Sequence, residues 1–176
     1  MKFKKFKLSD YAQIAEIISA FAIVLSLFFV GFQLRDNAKA TRSATANASI
    51  ASISAWFAGI GLSEQASANN YTAFTNPDVL TQEEWFQFVM GFHAGMFSFQ
   101  NSYYLAAEGT LDHEIRNSLA SLIAALKGQP GFLRYWQQRK SIFFPEFQDY
   151  VDGIIASDQI NTQGVYKKIE PTGTTP

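Results

Sequence analysis

Residues 17–34 read IISAFAIVLSLFFVGFQL, eighteen positions without a formal charge. Twelve of these positions hold Ile, Leu, Val or Phe. On the membrane-insertion scale such residues contribute about -0.3 to -0.6 kcal/mol each, so the stretch contributes roughly -4 to -7 kcal/mol before the small penalties for Ser, Gly and Gln. Residues 11–16 add about one and a half helical turns in front of it. We therefore predict a transmembrane helix over residues 11–34.

Two other interpretations of this apolar stretch compete with a membrane anchor. A buried helix of a soluble protein is usually shorter and rarely follows a basic leader such as MKFKKFK. A cleaved signal peptide is the second alternative, because Ala38, Lys39 and Ala40 resemble a cleavage site, but the apolar run is long for a signal peptide. We interpret residues 1–10 as a basic leader and the helix after it as an uncleaved anchor.

Basic residues flank the predicted span on both sides. Four lysines precede it, and three basic residues follow it closely: Arg35, Lys39 and Arg42. The positive-inside rule favours a cytoplasmic N-terminus by this narrow difference. We predict a location in the inner (cytoplasmic) membrane of a bacterium, with the C-terminal domain on the periplasmic side.

Small residues recur within the span at alternating spacings of three and four: Ala12, Ala15, Ser19, Ala22 and Ser26. Such a stripe lets two helix backbones approach closely in lipid, which the large side chains on the other faces would prevent. The stripe predicts a helix-association surface, with membrane lipid and either a second copy or a larger membrane complex as partners.

Polar groups accompany the small-residue stripe. Ser19, Ser26 and Gln33 follow one another at steps of seven, and Glu16 lies one turn from Ser19. One interpretation places Glu16 at headgroup depth; the other gives it a role inside an assembly, because an acidic group near a span needs a partner or water. Polar groups in line also allow a homo-oligomeric pore, with these four residues facing a water-filled axis.

Residues 35–61 are rich in Ala, Ser, Thr and Asn, a composition that also fits a flexible linker. They contain no Gly before Gly59 and no Pro, and the small-residue spacing continues through them. We therefore predict a helical stalk that continues the membrane helix to about Gly61, where the glycine ends it. We expect Ile50, Ile53 and Phe57 of this stalk to pack against the aromatic helix described next.

Residues 62–157 predict a small helical bundle. After a polar stretch, Thr81 and Glu84 have the spacing of a capping box, and the aromatic-rich helix that begins there should end near Gly109. A further helix is expected near residues 111–127, and two more open at Pro130 and Pro145. We find no strand pattern and expect residues 158–176 to be loosely ordered. The fold class is all-α.

The composition offers little for catalysis. There is no cysteine, and the sequence has no phosphate-binding loop, nucleophile elbow or metal-type histidine spacing. His93 lies among apolar residues and His113 at a helix start, which predicts a hydrogen-bonded core histidine and an exposed histidine respectively. A net charge of -1 gives no reason to expect nucleic acid. We predict a non-enzymatic protein without cofactor or metal.

Basic and aromatic residues occur together in FLRYWQQRKSIFF, residues 132–144. Arg134, Arg139 and Lys140 could contact anionic lipid headgroups, or they could simply form a solvated helix face. Aromatic side chains of the bundle could also line a pocket for an apolar ligand, although aromatic stripes at helical spacing usually form the core. The residues considered for that pocket are Trp85, Phe92, Phe99 and Trp136.

Three stretches carry a family resemblance: AEIISAFAIVLSLFFVGFQLRDNAKATR, NSYYLAAEGTLDHEI and PGFLRYWQQRKSIFFPEFQDYVD. They resemble a family of small bacterial membrane-anchored proteins with one N-terminal span and a helical domain. The likeness extends from Ala15 to Asp152. It implies the anchored helical architecture and no catalytic residue.

The sequence thus leads to three hypotheses. The first is a single-pass membrane protein that self-associates, or serves as an accessory or scaffold subunit of a membrane complex, through its small-residue helix face. The second is the homo-oligomeric pore. The third is a membrane-tethered sensor of an apolar ligand.

Overall fold

The computed structural model describes residues 7–157, with the side chain of Asp10 excepted. Within that range the chain forms six α-helices and no strand, which confirms the all-α fold class. The helices are α1 (Leu8–Gly61), α2 (Glu64–Thr75), α3 (Gln82–Ala107), α4 (His113–Leu126), α5 (Pro130–Arg139) and α6 (Pro145–Ala156). Short 3-10 turns occupy Pro77–Val79 and Lys140–Ile142. The expectations for residues 1–6 and 158–176 lie outside the described residues.

The chain divides into two compact units, Met1–Ser43 and Ala44–Pro176. Helix α1 provides the described structure of the first unit from Leu8 onward and the first helix of the second. The prediction that the apolar helix continues through residues 35–61 to Gly61 is confirmed. The first unit has no core of its own, because every one of its side chains whose burial is described is exposed.

Within the second unit, α1 turns one face toward α3. Ser49 and Ile53 are buried on this face, and the Trp56 ring lies 5.7 Å from that of Phe92 and 6.2 Å from that of Phe99. The Trp56 indole N–H donates a hydrogen bond to the carbonyl of Gly91 at 3.0 Å. A tryptophan that buries most of its ring and pairs its N–H is a strong packing anchor.

Helix α2 occupies the stretch for which the sequence predicted only a polar connection. Ser63 caps it by accepting a hydrogen bond from the amide of Ala66, and the helix ends at Thr75 before Pro77. It buries only Ala73 and Phe74. Because two buried residues make no long apolar stripe, the periodicity gave little sign of a helix here.

Helix α3 begins and ends where the sequence predicted. Thr81 accepts from the amide of Glu84, whose carboxylate accepts from the amide of Thr81, so both halves of the capping box form. Gly109 has a φ of 73°, the left-handed conformation that ends a helix at low cost when the residue is glycine. This helix is the centre of the second unit.

Helix α4 begins close to the predicted residue 111, and α5 and α6 begin at the predicted prolines. Asp112 caps α4, and Pro130 and Pro145 occupy the first turns of α5 and α6. At Gly131 the first turn of α5 lies against the backbone of α2, and a Cβ there would stand 1.7 Å from the carbonyl oxygen of Ala73. This position therefore requires glycine for close approach of two backbones.

The core of the second unit is largely aromatic. The ring of Phe92 is fully buried and stacks on Phe88, while Phe74, Phe132 and Tyr135 meet it edge to face. Edge-to-face pairs of this kind contribute about 0.5–1.5 kcal/mol beyond their buried area. The high Phe content is thus used inside this domain as well as in the apolar span.

Candidate functional site

The small-residue stripe of the first unit is fully accessible in the single chain. Its five predicted members are exposed: Ala12, Ala15, Ser19, Ala22 and Ser26. Large apolar side chains on the remaining faces are exposed as well; for example, Phe21 is 67% and Phe28 64% exposed. The helix therefore presents one narrow face that permits close backbone approach and broad faces that do not.

In the second unit, α1 leaves an outer face uncovered by the domain. Asn47, Ala51 and Ser54 are exposed there. Ile50 is 48% exposed and Phe57 39%, whereas Ile53 is 4% exposed. The expectation that all three apolar residues pack against α3 is therefore wrong for Ile50 and Phe57. Trp56, which the sequence reasoning overlooked, packs there instead.

The sequence of α1 keeps one seven-residue spacing along its length. Small or polar residues stand at every seventh position from Ala12 to Ser54: Ala12, Ser19, Ser26, Gln33, Ala40, Asn47 and Ser54. Ile50 and Phe57 lie three positions after Asn47 and Ser54, at the second apolar position of the same heptad. The first heptad position is thus small or polar throughout, whereas the second position holds Phe29 and Asp36 between Ala22 and Ile50. We call the residues of the first position with Ala15, Ala22, Ile50 and Phe57 the α1 seam.

The polar residues considered for a pore lie along or beside this seam. Glu16, Ser19, Ser26 and Gln33 are all exposed on α1. Near the end of the apolar stretch the guanidinium of Arg35 lies 5.4 Å from the ring centre of Phe32, one turn before it. A long basic side chain that covers an aromatic ring in this way is typical of the border of a membrane.

The three basic residues considered for headgroup contact have different surroundings. Arg134 pairs with Asp78 and lies 5.5 Å from the ring centre of Trp85. Lys140 pairs with Asp152 at 3.2 Å. Arg139 takes part in no ion pair among residues 7–157. Two of the three charges are therefore compensated within the domain.

Asp152 holds Trp136 in place from α6. Its carboxylate accepts the Trp136 indole N–H at 2.6 Å, and this hydrogen bond, with Lys140 nearby, lowers the pKa of the carboxyl group. The bond satisfies the only donor of a ring that is 4% exposed. This contact is structural.

His93 and His113 lie in the environments that the sequence predicted for each. The ring of His93 is partly buried, and its Nδ1 lies 2.5 Å from the hydroxyl of Tyr135. Burial, with the positive charge of Arg139, lowers the pKa of His93. His113 is the exposed first residue of α4.

The aromatic residues considered for an apolar ligand belong to the core. Phe92, Phe99 and Trp136 are buried. Trp85, which is partly buried, lies 5.2 Å from the ring of Phe88. Since these rings pack against other rings of the bundle, core packing accounts for the aromatic pattern.

An open polar cleft lies between α2 and the start of α3. It has a volume of about 770 Å³, and two carboxylates, Glu64 and Glu84, are among its lining residues. The described residues contain no group of three or more acidic or histidine side chains placed to hold a metal ion. Sequence reasoning missed the cleft because it missed α2.

Comparison with known proteins adds no assignment, since neither a family model, nor a curated protein, nor a solved structure matches the chain.

Proposed function

We propose that this chain is a non-enzymatic, single-pass membrane protein that self-associates through the α1 seam. The first support comes from the apolar stretch. Helix Tyr11–Gly61 contains an 18-residue window with a mean hydropathy of 2.4, and none of that window is buried. A core helix of a soluble protein would be covered by its own domain, whereas a lipid-facing helix is not.

The spacing of the seam supports association with a second helix. A strict seven-residue repeat keeps one face toward a partner only if two helices wind around each other with a left-handed twist. The repeat here runs from Ala12 to Ser54, too long to be explained by the span alone. Small residues in the span allow close contact in lipid, and Asn47 provides the kind of polar position that fixes register.

The observation that carries the proposal is the exposure of Ile50 and Phe57. These are the two large apolar residues of the seam beyond the span, and the domain leaves them 48% and 39% exposed while it buries Ile53. Because each side chain is already about half buried, covering the rest contributes about 1 kcal/mol each, out of the roughly 1.5–3 kcal/mol of full burial. A second copy of the same seam would cover them and would continue the repeat.

Disulfide formation provides a direct test, because the native chain contains no cysteine. Single substitutions Ser19→Cys and Ser54→Cys place a thiol on the seam, and both should give a crosslinked dimer on mild oxidation in native membranes. Val24→Cys and Ala48→Cys place it away from the seam and should crosslink far less. Equal crosslinking at all four positions would show that the chains do not associate through the α1 seam.

A substitution pair tests the close approach itself. Ala22→Leu inserts three carbon atoms into the seam and should weaken association, whereas Ala20→Leu makes the same change off the seam and should not. Association is measured by analytical ultracentrifugation in mild detergent. A wild-type protein that is strictly monomeric, and that brings down no other subunit from membranes, would rule out both self-association and the accessory-subunit form of the proposal.

Copy number separates the proposal from the pore hypothesis. A dimer or tight trimer leaves no water-filled axis, whereas a ring of five or more copies would favour conduction past Glu16, Ser19 and Gln33. In that case Glu16→Gln should change ion flux into liposomes. For orientation we propose a cytoplasmic N-terminus, which thiol labelling of the Ala48→Cys variant from the outside of spheroplasts tests.

A further inference from the structure

A groove runs along one side of α2 in the second unit. It consists of the polar cleft of about 770 Å³ at the start of α3 and a smaller cavity of about 280 Å³ between α1, α2 and α3. Asn69 and Gln87 line both cavities, so the two adjoin. We call the pair of cavities the α2 groove. The larger cavity alone has the size of a small-molecule site, about 300–1,000 Å³.

The groove has open space beside an apolar strip. Gly59 of α1 and Gly91 of α3 line the smaller cavity, and a Cβ at either position would meet nothing within 4 Å. Val79 and Leu80 line the larger cleft, and Val79 is 63% exposed. A ligand can therefore reach the groove from solvent and can place a hydrocarbon chain against this strip.

The charges in the walls of the groove are negative. Glu64 in the first turn of α2 and Glu84 in the first turn of α3 line the larger cleft. None of the described residues that line either cavity is Lys, Arg or His. One oxygen of the Glu84 carboxylate accepts from the amide of Thr81 at 2.9 Å, which leaves its other oxygen available. The walls therefore favour a ligand with positive charge.

Asn69 places an unpaired acceptor in the wall that the two cavities share. Its Nδ2 donates to the backbone carbonyl of Glu84 at 3.2 Å. This bond fixes the orientation of the amide, because the reverse orientation would bring two oxygens together. The Oδ1 atom is enclosed and has no hydrogen-bond partner in residues 7–157. Since a buried acceptor without a donor is unfavourable, a ligand with an N–H group is stabilised at this atom.

We propose that the α2 groove binds a linear organic diamine. An ammonium group carries a positive charge and three N–H donors but no acceptor, which complements carboxylates and an amide oxygen. The two ammonium groups pair with Glu64 and Glu84, and one of them also donates to Asn69 Oδ1. The methylene chain between them lies along Val79 and Leu80. A metal ion fits less well, since the described residues hold no group of three or more acidic or histidine side chains.

Calorimetric titration of the full chain in maltoside micelles with putrescine, at low ionic strength, tests this binding. Putrescine should bind saturably. Butylamine, which lacks one ammonium group, should bind about threefold to fivefold more weakly, because one exposed ion pair is lost. Butanediol has the same chain length without charge and should not bind. No saturable binding of putrescine, or equal binding of butylamine, would overturn the proposal.

Two neighbouring glutamates provide a matched pair of charge variants. Glu84→Gln removes the charge from the cleft but keeps the acceptor of the capping box, so the start of α3 is preserved. It should weaken putrescine binding about threefold to fivefold. Glu83→Gln removes the same charge from an exposed residue that lines neither cavity, and it should leave the affinity unchanged.

A second carboxylate variant extends this comparison. Glu64→Gln should weaken putrescine binding as much as Glu84→Gln does, and the double variant should bind about tenfold or more weakly. Unchanged affinity in the double variant would overturn the proposal, and so would an equal loss in Glu83→Gln.

Two adjacent asparagines test the unpaired acceptor. Asn69→Ala removes Oδ1 from the shared wall and should weaken putrescine binding several-fold. Asn70→Ala is the control, because the Asn70 Nδ2 donates within α2 to the carbonyl of Ala66 at 2.8 Å. Melting temperatures show whether both variants are folded. Equal affinities of the two variants would place the ligand outside the shared wall and would overturn the proposal.

Competition separates a built site from diffuse attraction to negative charge. Cadaverine, a diamine longer by one methylene group, should displace putrescine, whereas magnesium chloride at the same ionic strength should displace it far less. Equal displacement by the two would overturn the proposal. Because the groove lies wholly within the second unit, the outcome is independent of self-association through the α1 seam.

Discussion

The contact between Trp56 and α3 yields a prediction that compares two glycines one turn apart. A Cβ at Gly95 would stand 2.6 Å and 2.8 Å from two ring carbons of Trp56, while a Cβ at Gly91 meets nothing within 4 Å. Gly91→Ala should therefore stabilise the domain, and Gly95→Ala should destabilise it relative to that control.

The magnitude follows from two opposing effects. Replacing glycine by alanine inside a helix gains about 1 kcal/mol in either variant. At Gly95 the added methyl group overpacks a rigid ring, which costs about 1–3 kcal/mol. Displacing the ring also strains its 3.0 Å hydrogen bond to the Gly91 carbonyl, which contributes about 0.5–1.5 kcal/mol. The two variants should thus differ by about 2–4 kcal/mol.

Thermal unfolding of the full chain in detergent, followed by tryptophan fluorescence and near-ultraviolet circular dichroism, measures this difference. Gly95→Ala should unfold several degrees below Gly91→Ala. The double change Trp56→Ala with Gly95→Ala should show no further loss from the alanine, since the clash is gone. Equal stabilisation by both single variants would show that Trp56 does not lie over Gly95.

Three further predictions concern the same domain. Gly131→Ala should prevent normal folding or lower the stability by more than about 3 kcal/mol, because the added Cβ would overlap the Ala73 carbonyl. The yield of folded protein and the melting temperature measure this loss. Near-wild-type stability would contradict the close approach of the two backbones. Asp152→Ala should cost about 1–3 kcal/mol by leaving the Trp136 N–H unpaired, whereas Asp152→Asn keeps an acceptor and should cost less; equal losses in urea unfolding would argue against the hydrogen bond. Because the pKa of His93 is lowered in the folded state, the unfolded chain binds more protons below pH about 6.5, so the free energy of unfolding should fall as the pH drops through that region. This dependence on pH should be weaker in His93→Gln. An unchanged pH dependence in that variant would contradict the role of His93.

The sequence predicted most of the helix boundaries because they depend on local chemistry. The capping box at Thr81, the glycine at Gly109 and the prolines at Pro130 and Pro145 act through their own backbone groups. Helix α2 lacks a long apolar face, so periodicity could not reveal it. Its cap at Ser63 and its end before Pro77 were the signals available, and they are weak without a stripe between them.

The candidate sites were less predictable because they depend on contacts between distant residues. Arg134, Arg139 and Lys140 look alike in sequence, and only the folded chain pairs two of them with Asp78 and Asp152. These partners lie 56 and 12 positions away along the chain. The hydrogen bond of His93 likewise depends on a hydroxyl 42 positions away.

The two faces of α1 show why periodicity alone could not choose between packing inside the domain and packing between chains. Ile53, Trp56 and Ile60 repeat at helical spacing, and so do Ile50 and Phe57, so each set could cover α3. The shape of α3 decides which set packs inside the domain. Gly95 has no side chain and leaves room for the Trp56 ring, and the hydroxyl oxygens of Ser98 and Ser52 lie 2.6 Å apart. Once α3 takes that face, Ile50 and Phe57 remain in water unless another surface covers them. In the sequence, Ile50 and Phe57 lie three positions after Asn47 and Ser54, which share the seven-residue spacing of the small residues in the span.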